Sequence, residues 1–242
     1  MHALKQMDMA NVLFLDIETV PAYKSFSELS PDWQDLWARK ARFMMKNDET
    51  PDMLYEKASI YAEFGKVIVI GVGVLRGFDS SYKLRVKTYA GHDEKAVLAD
   101  FAGLLNSHYH GNQFMLCAHN GKEFDFPYLA RRMMVHGIPL PFLLDTAGKK
   151  PWEVPHLDTM ELWKFGDFKN FTSLNLLAHL FGIPTPKDDM DGSQVGPVYW
   201  QENDLDRIAT YCRKDVVTLA QLMLRFRGES LIPDEHVILA EN

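Results

Sequence analysis

Val12-Leu13-Phe14-Leu15-Asp16-Ile17-Glu18-Thr19 opens with four apolar residues and closes on two carboxylates spaced two apart. An unbroken apolar run of this length reads as a strand buried on both faces, which belongs inside a layered α/β sheet. The two-residue period of a strand puts Asp16 and Glu18 on one side of it. Buried carboxylates without partners lose much of their hydration energy, so the pair calls for a bound cation or a shared proton. Hard oxygen donors at close spacing suit magnesium or manganese and hold zinc less well than His or Cys. Taken alone, the pair also fits one carboxylate capping the next turn while the other points to solvent.

Two further segments carry acids at defined places. His119-Asn120-Gly121-Lys122-Glu123-Phe124-Asp125-Phe126-Pro127-Tyr128-Leu129 follows an expected strand and enters a helix that Pro127 helps start. Asp125 therefore stands at a strand-to-helix junction, where an ordinary N-cap is the alternative role. Near the other end of the chain, Leu205, Ile208, Cys212, Val216, Leu219, Met223 and Phe226 recur at spacings of three and four. They form the apolar stripe of a long helix, with Tyr211 and Asp215 together on one flank. Those two also fit a core aromatic beside a solvated acid.

In combination the segments are far more specific than any one of them. A strand with Asp-x-Glu-Thr, then Asn-x-x-x-Phe-Asp at a helix start, then Tyr-x-x-x-Asp on a late helix resembles the DEDD superfamily of 3′–5′ exonucleases. This is the DnaQ-like branch of the ribonuclease H-like fold, and the tyrosine marks its tyrosine-containing subclass. Phe124-Asp125-Phe126-Pro127-Tyr128-Leu129 resembles the proofreading domains of family B DNA polymerases. Met190-Asp191-Gly192-Ser193-Gln194-Val195 resembles stand-alone bacterial exonucleases related to those domains. The resemblance runs from about Asn11 to about Arg227. The chain ends soon afterwards, so no polymerase domain is expected in cis.

The resemblance implies a ribonuclease H-like mixed sheet, a metal-dependent site and hydrolysis of terminal phosphodiester bonds to nucleoside 5′-monophosphates. It implies that Asp16, Glu18, Asp125 and Asp215 hold two divalent cations, magnesium or manganese, with Asp16 shared between them. Tyr211 is assigned to orient the attacking water, and the terminal nucleotide is expected to meet Thr19 through its backbone, Phe126 by stacking, and Asn120. The expected substrate is single-stranded DNA or a frayed 3′ end. RNA or short oligoribonucleotides are the alternative, and a non-catalytic nucleic-acid binding module on the same fold is another.

Composition is compatible with this and excludes other classes. The chain has 242 residues, 47% hydrophobic and 24% charged, which supports one sizeable core or two small ones. A formal net charge of −7 argues against tight nonspecific binding to duplex over a large surface. Only Cys117 and Cys212 are present, both in apolar surroundings, so a disulfide framework is not expected and a reducing cytoplasm is. The longest apolar stretch, Val67 to Leu75, is too short to span a bilayer, and the first residues lack an apolar signal core.

Along the chain, strands are expected near Val12 to Thr19, Lys66 to Leu75, Lys83 to Ala90, Phe114 to His119 and Val154 to Leu157. Helices are expected near His92 to Ser107, Phe126 to Val135, Ser173 to Phe181 and Glu202 to Arg227. Three strands before the first long helix imply a mixed five-stranded sheet in one domain spanning residues 1–242. Residues 21–64 read as a helical insertion whose aromatics pack on the domain or form a flap over the substrate. Gly71-Val72-Gly73 lacks the third glycine of a dinucleotide fingerprint. Asp188, Asp189 and Asp191 do not fit a calcium loop, since alignment on Gly192 puts Lys187 at the first ligand position. That loop reads as a solvated or substrate-facing turn. His119 is open between a structural and a site role, and Asp158 reads as a helix cap, with support of the site from behind its acids as the alternative.

Overall fold

The computed structural model describes residues 2–77, 81–167, 171–184 and 190–240. Its strands are β1 (Val12–Pro21), β2 (Gly65–Arg76), β3 (Lys83–Ala90), β4 (Met115–Ala118), β5 (Leu157–Asp158) and β6 (Val237–Leu239). They form one mixed sheet in the order β5-β4-β1-β2-β3-β6, with β1 antiparallel to β2 and parallel to β4. The helices are α1 (His2–Gln6), α2 (Pro31–Ala41), α3 (Glu94–His108), α4 (Asp125–Val135), α5 (Thr159–Lys164), α6 (Leu174–Leu180), α7 (Val195–Pro197) and α8 (Leu205–Arg227).

The pleat of β1 sorts its side chains between two cores. Leu13, Leu15 and Ile17 pack with Leu98 and Phe101 of α3 and Leu129 and Met133 of α4. Phe14 faces the other way, against Val216, Leu219 and Met223 of α8. Asp16 and Glu18 are in step with Phe14, so both carboxylates stand on the α8 side of the sheet. A β-bulge between Glu18 and Thr19 shifts the β1–β2 register just past the acids and increases the local twist.

Two features of the sheet differ from the sequence expectation. A sixth strand, β6, adds parallel to β3 through Leu84↔Val237 and Val86↔Leu239. Three residues are too few to show a period, and their pairing comes from tertiary context. The last of the expected strands is shorter and later than Val154 to Leu157, because Pro155 has no N–H to give a ladder. Cys117 and Cys212 are buried and unpaired, and no described helix is long and apolar enough to cross a membrane.

Residues 21–64 contain α2 and 3-10 turns at Phe26–Glu28 and Tyr55–Ile60. Their aromatics make a small core of their own around fully buried Trp37, with Leu29, Tyr55, Ala58 and Phe64. Hydrogen bonds fasten this unit to the end of β1 and to α4. The Ser59 carbonyl accepts from Thr19 Oγ1 and from the Tyr128 hydroxyl, both at 2.9 Å, and Arg132 Nη1 donates to the Ala62 carbonyl at 2.9 Å. Arg132 of α4 and His136, just past its end, also meet the buried Glu94 carboxylate, which accepts the Val67 N–H at 2.8 Å. Asp188 and Asp189 lie outside the described residues; Asp191 caps the Gly192–Gln194 turn and is exposed.

Candidate active site

The site is assembled where three elements meet. β1 supplies Asp16 and Glu18, the start of α4 supplies Asp125, and α8 supplies Tyr211 and Asp215. The close approach of α8 depends on two glycines of β2. Gly71 pairs with Asp16, and a Cβ there would lie 2.8 Å from Cys212 Sγ and 2.9 Å from Val216 Cγ2. At Gly73 a Cβ would lie 2.8 Å from Val216 Cγ1. Bare backbone at both positions lets the helix settle onto the sheet, which brings Tyr211 and Asp215 to the acids of β1.

Asp125 does not act as the N-cap of α4. Phe124 occupies that position without a side-chain cap, and Asp125 is the first helical residue. β4 pairs with β1 only as far as Phe14↔Cys117. Beyond that point Asp125 enters from the start of α4, where its own backbone and that of Ile17, the residue between the two β1 acids, hold its carboxyl down against the rise that burial imposes. Asp125 is only 4% exposed.

The electrostatics follow from this crowding. Burial, reinforced by Glu18, Asp215 and Asp125, raises the Asp16 carboxyl well above the usual carboxylate range. Glu18, 7% exposed, is raised by burial and by the charges of Asp215 and Asp125. Asp125 is pushed up to about 7, chiefly by burial. Among the described residues, no basic side chain forms an ion pair with Asp16, Glu18 or Asp125. Asp16 Oδ2 is buried with no hydrogen-bond partner, and an unpaired buried carboxylate oxygen is costly unless a cation meets it.

Ligand atoms of Asp16, Glu18 and Cys212 lie within 4.8 Å of one another. The thiol is a poor third donor. Its Sγ–H points at the Asp16 carbonyl at 3.5 Å, and burial with the neighbouring acids raises its pKa well above the ordinary value. What remains is a set of hard carboxylate oxygens, donors that suit a hard divalent cation. Tyr211 hydrogen-bonds to Asp215, and its phenol is raised by burial and by the charges of Asp215, Glu18 and Asp16. It therefore stays protonated.

Other expected site residues fall differently. Thr19 lies at the bulge with its hydroxyl committed to the Ser59 carbonyl, leaving its backbone as the available contact. Asn120 sits half-buried in a left-handed turn at φ 64° beside the start of α4. Phe126 does not offer a stacking face: its ring is 3% exposed and meets His156 edge to face at 5.1 Å. The helix start turns position 126 into the core, and no strand-like alternation operates there. His119 is structural, held by Thr159 Oγ1 at 2.9 Å and the Thr172 carbonyl at 2.8 Å. Cys212 and Gly71 escaped notice as site components. A signal existed, because glycines two apart on a strand leave one face bare for a close neighbour.

A family described as "Predicted 3'-5' exonuclease related to the exonuclease domain of PolB" matches residues 59–231. The match includes Asp125, Tyr211 and Asp215 and starts beyond Asp16 and Glu18. No curated protein matches the chain. Among solved structures, the chain is similar to the family B DNA polymerase of the hyperthermophilic archaeon Pyrobaculum calidifontis, at 17% identity and a TM-score of 0.48. That alignment covers 89% of this chain and 24% of the polymerase, so the chain spans about a quarter of its length. The RNase domain of the yeast Pop2 protein aligns at 12% identity and a TM-score of 0.39, covering 87% of this chain and 81% of that one.

Proposed function

Since the chain belongs to the family of predicted 3′–5′ exonucleases related to the exonuclease domain of PolB, we propose that it removes nucleotides singly from the 3′ end of single-stranded DNA, with Asp16, Glu18, Asp125, Tyr211 and Asp215 as its catalytic residues. One observation supports the choice of residues above the rest: two acids that lie outside the family match converge with three residues inside it. The relation to a DNA polymerase's exonuclease domain favours DNA over RNA. We read the chain as one exonuclease domain in which residues 21–64 are a helical insertion.

Asp16, Glu18, Asp125 and Asp215 would hold two divalent cations, magnesium or manganese, which supply an acidified water and charge to offset the phosphate's developing negative charge. The orphaned Asp16 Oδ2 fits the shared ligand. Tyr211 has a separate task. Its phenol proton is engaged by Asp215, so its oxygen is left as an acceptor that can fix the attacking water's orientation. Holding the water in line with the scissile bond is a positional contribution, which general estimates put at several kcal/mol of barrier. Thr19, through its backbone, and Asn120 flank the acids and would seat the terminal nucleotide.

The test is a gel assay of 5′-labelled and 3′-labelled DNA and RNA oligonucleotides with magnesium, manganese or chelator. The 5′-labelled DNA should shorten as a ladder only with metal, and RNA should shorten more slowly. Internal cleavage, or digestion undiminished by chelator, refutes the assignment; faster digestion of RNA replaces the substrate.

A further inference from the structure

Helix α4 carries Asp125 in its first turn yet has no side-chain cap of its own. Something outside it must therefore set where the helix begins. The turn before it is tight: Asn120 is left-handed, a Cβ at Gly121 would lie 2.3 Å from Ala118 Cβ, and the Gly121 carbonyl accepts the Phe126 N–H at 2.9 Å. Backbone folded this way exposes amides that local structure does not satisfy.

The partner of those amides is Asp158, at the junction of β5 and α5. Its position pairs with Ala118 in the sheet, and its side chain is 2% exposed. Oδ1 accepts the Asn120 N–H at 3.0 Å and Oδ2 accepts the Lys122 N–H at 3.1 Å. Oδ1 also caps α5 through Met160 N–H at 2.9 Å and Glu161 N–H at 3.3 Å. The next residues hold the same turn. Thr159 Oγ1 meets His119 Nδ1 at 2.9 Å, and Glu161 Oε2 meets Lys122 Nζ at 2.9 Å. Charge-assisted bonds to backbone N–H are about twice as strong as neutral ones, and the carboxylate that accepts these two is buried, whereas the Lys122–Glu161 pair is partly exposed and contributes little.

We propose that Asp158 is a positioning residue, whose buried carboxylate fixes the Asn120–Lys122 turn and so sets where Asp125 stands relative to Asp16 and Glu18. The proposal rests on the catalytic role given to Asp125 above. Asp158 thus serves two elements at once: it caps α5 and it anchors the turn before α4. The two duties separate by substitution. Serine at 158 is a good N-cap but too short to reach the amides of Asn120 and Lys122 as well.

The full-length Asp158→Ser and Asp158→Ala proteins should be compared with wild type for kcat and KM on a 5′-labelled single strand with manganese. Melting temperature and hydrogen exchange at the Asn120 and Lys122 amides complete the set. Asp158→Ser should recover most of the melting temperature lost by Asp158→Ala. Both variants should show exchange at the two amides faster than wild type and a kcat lowered about tenfold to a hundredfold, with KM little changed. Should Asp158→Ala fail to fold, Asp158→Asn retains one acceptor oxygen for three of the four N–H groups and should give an intermediate kcat. A serine variant that regains wild-type kcat along with stability makes Asp158 a helix cap only. Released amides with unchanged kcat overturn the proposal while leaving the exonuclease reading intact. A wild-type protein that shortens no oligonucleotide defeats both together.

Discussion

Replacing Gly71 by alanine should separate the two halves of the site without touching any acid. The added Cβ would lie 2.8 Å from Cys212 Sγ, whereas ordinary contact begins at about 3.4 Å, so α8 must retreat by about 0.6 Å, the difference of the two. Cys212 lies between Tyr211 and Asp215 on that helix, and the retreat carries both away from Asp16 and Glu18. Misplacement of a reacting group by 1 Å costs on the order of a hundredfold in rate, so a loss of about ten- to a hundredfold in kcat is expected. Overpacking itself should destabilise by about 1–3 kcal/mol, a fall of roughly 3–10 °C in a domain of this size. Gly73→Ala provides the comparison, since its Cβ meets Val216 Cγ1 at 2.8 Å but its partner on β1 is Phe14, in the apolar core. It should lose similar stability and less activity. Steady-state kinetics on a labelled single strand and thermal melts give both quantities. A Gly71→Ala protein that melts early but turns over at the wild-type rate would show that the approach of α8 to β1 does not set the chemistry.

Tyr211→Phe should leave the manganese-induced rise in melting temperature intact and lower kcat about ten- to a thousandfold; an unchanged kcat removes the tyrosine from the reaction. The site's pH response has a definite sign. Carboxyls raised in the folded state, Asp125 to about 7 and Asp16 and Glu18 well above the usual range, favour the native protein while protonated and cease to as pH rises. In chelator, stability should therefore fall as pH rises through about 7, by up to about 1.4 kcal/mol per pH unit for each proton retained only by the folded state, and the melting temperature should fall with it. Buried His156, lowered to about 4, acts in the opposite sense but has largely finished above pH 7. A flat or rising curve contradicts the acid cluster. Gly103→Ala, at an exposed position of α3 with nothing within 4 Å of the new Cβ, should add about 0.5–1 kcal/mol and raise the melting temperature, with kcat unaffected.

The parts of the site that were legible in the sequence are those set by a period. Asp16 and Glu18 share a face because strands repeat every two residues, and Tyr211 and Asp215 meet because helices bring positions four apart together. Asp125 was visible from the strand, the turn and Pro127 around it. What stayed hidden depends on neighbours distant in the chain. Gly71 and Gly73 look like a broken nucleotide fingerprint until α8 is seen resting on them. Asp158 reads correctly as a cap of α5, but its bonds to Asn120 and Lys122 arise from the β4–β5 pairing, which a two-residue strand does not announce. Phe126 reads as a stacking platform because local sequence shows an aromatic beside an acid, not which way the first helical turn faces. The sixth strand has the same cause: Val237–Leu239 pairs only because β3 presents an open edge.

The most direct measurement follows a 5′-labelled single-stranded DNA with magnesium, comparing wild type with the isosteric Asp16→Asn protein. Within the acid cluster, Asp16 carries a buried oxygen with no partner, and its neighbours include the three other acids. Wild type should yield a ladder of products each one nucleotide shorter. Asp16→Asn should yield none while melting at or above the wild-type temperature in chelator, since a repelled charge has been removed. An Asp16→Asn protein that is folded and still shortens the strand at the wild-type rate would contradict the assignment of this cluster as the active site.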